Sequence, residues 1–172
     1  FESCPLKYRL RYIERIRTER KSVEAFRGTL VHATLEKLYR DLRMSRLPSL
    51  EDLEAHYLQA WEASFGPEVF VVSGEYCPED YRLSGLRCIR NYYRRHYPFA
   101  GGTAVWLEKK VHIPLRDASG RGIGFTGILD RLDSLGEGRY EIHDYKTSSS
   151  LPSWQELEGD RQLSLYQLAV EE

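Results

Sequence analysis

A change of hydrophobic period near residue 103 most constrains what this chain can fold into. Upstream, apolar residues recur at three-to-four spacing, the mark of amphipathic helices. From 103 onward, β-branched and aromatic residues dominate short stretches separated by glycine-rich turns. TAVWLEKKVHIPL (103–115), IGFTGILDRLDS (123–134) and RYEIHDYKTS (139–148) predict three strands. The intervening DASGRG and LGEG turns are short, so the spacing predicts an antiparallel meander.

Helices are predicted over 4–17, where Pro5 suits a first turn, and over 24–44, with Leu30, Leu35, Leu38 and Leu42 as the stripe. A third starts near Ser49 and stops around Gly66-Pro67; a fourth runs from Glu79 to His96, and helix returns from Pro152. The expected architecture is α/β: a small mixed sheet with the meander, flanked by helices, in a single domain over 1–172 with a helical insertion at about 47–100.

Of the 172 residues, 41% are hydrophobic and 12% aromatic, enough for a core, which excludes a disordered chain. No apolar run approaches the ~18 residues of a membrane helix. Cysteines 4, 77 and 88 show no CxxC spacing, so the expectation is a reducing, cytoplasmic setting without a disulfide framework. The chain begins at Phe1, has Met44 as its only methionine and ends within a helical pattern, and so reads as a piece of a longer protein. Net charge is −1, but residues 1–46 hold twelve Lys/Arg against six Asp/Glu, and residues 127–172 hold four against ten. Such asymmetry suits a site drawing phosphates at one place and cations at another; two solvated faces would look the same.

Strand alternation sharpens the picture. It puts Asp144 and Lys146 on one face of the third strand, Asp130 with Ile128 and Leu132 on the second, and Glu108 with Trp106 and Lys110 on the first. Three carboxylates on adjacent strands, ~4.8 Å apart, repel unless a divalent cation joins them. Oxygen-rich sites of this kind suit Mg²⁺ or Mn²⁺, and Lys146 would orient or deprotonate a water beside the ion. Taken singly, each residue also has an ordinary reading: a surface ion pair around Asp130, edge-strand charges at Asp144 and Lys146, a satisfied histidine at His32. The basic, tyrosine-rich stretches KYRLRYIERIRTERK and RCIRNYYRRHY read equally as DNA-contacting surfaces or as solvated amphipathic helices.

The ordered set GTLVHATLE, WLEKKV, FTGILDRLD, HDYKTS and QLSLYQLAV resembles the RecB-like branch of the PD-(D/E)XK nuclease superfamily, which includes the nuclease domains of RecBCD and AddAB and the CRISPR-associated adaptation nucleases. The resemblance spans nearly the whole chain. It implies a restriction-endonuclease-like core and a metal held by His32, Asp130, Asp144 and the Tyr145 carbonyl, with Glu108, Asp130, Asp144 and Lys146 catalytic. It implies that Gln162 and Tyr166, in Q-x3-Y, border the site and touch DNA; Arg131 is expected on DNA too. Cys4, in CPLKY, matches the first cysteine of an iron–sulfur cluster found in some relatives; the cluster would need three more cysteines from a continuation of the chain. The implied activity is Mg²⁺- or Mn²⁺-dependent DNA hydrolysis, as an exonuclease of recombination or repair, alongside a helicase domain or subunit. The alternative is a non-catalytic DNA-binding or scaffold module of a helicase–nuclease complex.

Overall fold

Ser22 and Ser49 open the two helices on which the upstream half is built. In this computed structural model, which describes residues 4–16, 20–72, 74–116, 119–148 and 153–171, Ser22 caps α2 (Val23–Arg43), its Oγ accepting from the Ala25 amide at 3.3 Å. Ser49 and Asp52 exchange side-chain-to-backbone bonds of 3.1 Å at the start of α3 (Leu50–Ser64), a reciprocal cap that satisfies otherwise unpaired amides. α4 (Pro78–His96) has proline in its first turn, and its Asp80 accepts from the Cys77 amide at 2.8 Å. Phe26, Leu30 and Leu38 of α2, Leu53, Tyr57 and Trp61 of α3, and Leu86 and Ile89 of α4 share one core. The segment expected as a helical insertion is thus packed directly against α2.

The first predicted helix is only partly formed. α1 (Pro5–Tyr8) passes into one wide helical turn at Arg9–Ile13, and Leu6, Leu10 and Ile13, expected as a packed stripe, are exposed. Cys4 caps α1 through its Sγ and is exposed.

The meander is present: β3 (Thr103–Arg116), β4 (Gly122–Gly136) and β5 (Arg139–His143) pair antiparallel in that order. Among the described residues, parallel pairing is confined to a separate ladder between β1 (Lys21–Ser22) and β2 (Val69–Phe70). After α5 (Trp154–Glu158), α6 (Arg161–Glu171) seats Tyr166 among Val111, Leu129 and Leu132, while Ala104 and Leu107 pack with the α2 side. Gly127 permits this: a Cβ there would meet the Tyr166 ring at 2.8 Å.

The structure corrects two expectations about the strands. The third was expected to run to 148 and stops at His143. The reason is a bond from another strand: the Tyr145 amide donates to the Asp130 carboxylate at 2.6 Å instead of to a backbone carbonyl. Nor does simple alternation hold along β4. Leu129 and Leu132 are three residues apart yet enter the same core, while Ile128, expected to share a face with Leu132, is exposed. The change of face falls beside Asp130, opposite Glu108, whose φ of 44° is left-handed backbone in a non-glycine residue.

Candidate metal centre

Asp130 is drawn inward by the bond that ended β5. One of its oxygens takes the Tyr145 amide; the other lies 3.5 Å from His32 Nδ1. His32 comes from the sheet-facing side of α2, and its Nδ1 is also 3.6 Å from Glu108 Oε1. Its second nitrogen, Nε2, is 3.1 Å from the Tyr145 carbonyl. A carbonyl only accepts, so Nε2 carries a proton; Nδ1 faces the carboxylates and offers them an N–H when the ring is charged, or offers a lone pair to an ion lying between them when the ring is neutral. One ligand atom from each of His32, Glu108 and Asp130 falls within a 4.8 Å group.

The electrostatics suit a cation. Burial, and then the neighbouring Asp130 charge, push the Glu108 carboxyl above the usual range. The hydrogen bond with Asp130 raises the His32 imidazole despite its burial. Glu108 Oε1 is buried without a hydrogen-bond partner. A buried carboxylate oxygen without a hydrogen-bond partner, beside a second carboxylate and an imidazole, is the donor set of a hard or borderline ion, so these residues fit a divalent metal.

Asp144 stands beside this group, not within it. It pairs with Lys146, and its Oδ1 accepts from Gln162 Nε2 at 3.1 Å. Gln162 also donates to the Tyr166 hydroxyl at 2.9 Å, and Lys146 Nζ is 3.5 Å from Gln162 Oε1. The Tyr166 hydroxyl in turn donates to the Ile128 carbonyl, a group that β5 is too short to pair. Burial alone would lower the Lys146 ammonium; the Asp144 carboxylate outweighs it, and the net shift is upward. The Tyr145 carbonyl, expected as a metal ligand, faces His32 Nε2.

Arg131, expected on DNA, is turned into the interior. It is 2% exposed, with its guanidinium 3.7 Å over the Tyr39 ring, donating to the hydroxyls of Tyr92 at 2.6 Å and Tyr145 at 3.0 Å. Asp133 balances its charge at 2.9 Å. This buried cluster, and Arg27, which donates to the Thr147 carbonyl at 2.7 Å, were missed by sequence reasoning. The available signals were the second aspartate of DRLD and the arginine preceding Gly28.

A profile of the PD-(D/E)XK nuclease superfamily matches residues 1–172, and the chain belongs to that superfamily. It is similar to a subunit of the ATP-dependent helicase/deoxyribonuclease of Carboxydothermus hydrogenoformans, 28% identical over 186 aligned positions that cover 96% of this chain. That similarity is consistent with the RecB-like branch. The match spans 17% of that subunit's length. No solved structure matches the chain. Among the described residues, no helix is long and apolar enough to cross a membrane.

Proposed function

We propose that the chain is a Mg²⁺- or Mn²⁺-dependent deoxyribonuclease domain, acting as an exonuclease in DNA recombination or repair beside a helicase domain or subunit. The observation that carries this reading is the convergence of His32, Glu108 and Asp130 within one small group, with the Asp144–Lys146 pair at its side. Superfamily membership and the named activity of the similar protein support it.

His32, Glu108 and Asp130 would hold the ion; Asp144 would join once its contacts with Lys146 and Gln162 rearrange. A bound divalent ion supplies Lewis-acid activation of water and neutralisation of phosphate charge. The Nε2–H bond to the Tyr145 carbonyl orients the His32 ring for ligation. Lys146, kept protonated by Asp144, would orient the attacking water and offset charge gathering on the phosphate oxygens, rather than serve as the base. Water oxygen bonds to phosphorus and gives up a proton to the surrounding solvent, the P–O3′ bond breaks, and the released oxygen takes a proton from solvent, leaving a 5′-phosphate and a 3′-hydroxyl. Gln162 and Tyr166 would set Asp144 at the edge of the DNA path.

Linear DNA incubated with the chain and Mn²⁺, with and without chelator, tests this reading. Cleavage should require the ion and should vanish in Asp130→Ala and Lys146→Ala, whose circular dichroism should stay that of the parent. Parental cleavage rates in either variant would refute the assignment. DNA binding by the parent without any metal-dependent cleavage would instead support a scaffold role.

A further inference from the structure

Beyond the metal centre, β3 and β4 continue as a two-stranded arm, paired from Lys110↔Ile128 to Arg116↔Gly122. The arm is one-sided. Val111, Ile113 and Leu129 are buried, and Val111 and Leu129 pack with Tyr166 of α6. On the opposite face Lys110, His112, Arg116, Thr126 and Ile128 are all exposed. Residues 109–129 hold four Lys/Arg against one Asp, a cationic run beginning one residue past Glu108.

We propose that this uncovered face is the track on which the DNA backbone leaves the metal centre, with Lys110 and Arg116 on phosphates. The proposal rests on the nuclease reading above and assigns the substrate its path. Charge complementarity is the first argument: a polyanion fits a cationic strip, and the strip adjoins the acidic group that would bind a cation. Continuity is the second. Ile128, on the exposed face, lies two residues before Asp130 on the same strand, so the track starts where the ligands end. Placement is the third. His112 is held by Thr126 Oγ1, 3.1 Å from Nδ1, and its ring covers Gly124, where a Cβ would sit 2.9 Å from Cε1. Lys110 and Arg116 are the cationic side chains of this face, and Arg116 Nη1 donates to the Gly120 carbonyl at 3.2 Å, which holds its guanidinium at the turn end of the arm. At ~3.3 Å per residue these two stand about 20 Å apart, roughly six steps of a DNA strand.

Anisotropy of a labelled single-stranded oligonucleotide, in Ca²⁺ to suppress cleavage, reads the effect. Lys110→Glu with Arg116→Glu should weaken binding at least tenfold at about 0.1 M salt. The slope of log K against log salt should flatten by about 1.4, two contacts at ~0.7 each. The Mn²⁺-induced rise in melting temperature should stay at the parental value. Should the reversed pair fail to fold, Lys110→Gln with Arg116→Gln should still weaken binding about threefold. Arg43→Glu, an exposed reversal at the far end of α2, should change binding less than Lys110→Glu alone. Unchanged affinity and slope in the arm variants, or an equal loss from Arg43→Glu, would overturn the track while leaving the nuclease reading intact. A parent chain that neither binds nor cuts DNA would overturn both.

Discussion

Arg131 brings a full charge into the interior, and its neighbours show what keeps it there: an aromatic face, two phenolic hydroxyls and the Asp133 carboxylate. Removing one partner of such a pair strands the other charge away from water. Arg131→Met should therefore cost about 3–5 kcal/mol in urea unfolding, and adding Asp133→Asn should recover part of that loss. A cost near zero for the single variant would mean that the cluster does not hold the Tyr145 region together. At this scale the sequence is legible only in part. The chemistry of Asp130 and Lys146 follows from strand position and residue type, but His32, Gln162 and Tyr166 were singled out by family resemblance. Arg131 sits between two aspartates, and nothing in that spacing reveals that its side chain turns inward. The face change at Glu108 and Asp130 is a backbone event with no signature in residue type.

The elements show where local rules suffice. The leucine stripe of α2, the start of α3 near Ser49 and the glycine turns of the meander follow from residue types, because Ser49 acts on its own first turn; the Ser22 cap of α2 and Pro78 at the start of α4 add the same kind of local signal. The end of β5 was not legible, because a side chain from another strand captures the Tyr145 amide. Close approach of α3 and α4 is equally non-local: a Cβ on Gly85 would fall 2.0 Å from the Tyr57 hydroxyl. Gly85→Ala should destabilise the chain by about 1–3 kcal/mol through overpacking, measured by chemical denaturation. The same helix pair is joined by Arg90 and Glu54, 2.6 Å apart. The hydrogen bond from Arg90 holds the Glu54 carboxyl below its ordinary value. Its contribution is thus present above the unfolded-state pKa of about 4.3 and fades as pH falls through the lowered folded-state value. Glu54→Gln should melt below the parent at neutral pH and approach it near pH 3; an equal gap at both would exclude the ion pair as its source.

At the scale of the whole molecule, a helical core over α2 and a smaller core under α6 meet at the sheet, and the proposed metal ligands lie at that meeting: His32 from the helices, Glu108 and Asp130 from the strands. Ligation should therefore tie the two halves together. Mn²⁺ at a hundred times its Kd should add about 2.7 kcal/mol to unfolding, seen as a higher melting temperature. Asp130→Asn should abolish the rise, and a rise of parental size in that variant would place the ion elsewhere. The overall class of fold was readable from the change of period at 103; the meeting of the two cores was not, since it depends on packing between residues far apart in the chain.

The stretch following β5 is governed differently from the sheet it leaves. The amide and carbonyl of Tyr145 and the carbonyl of Thr147 are held by Asp130, His32 and Arg27, three side chains from two neighbouring elements. No ladder dictates where these backbone atoms sit. The gap separating Asp130 from Asp144 consequently follows these three tethers and not the strand ladder, so under the proposed function the anchors are the natural dials for retuning ion preference.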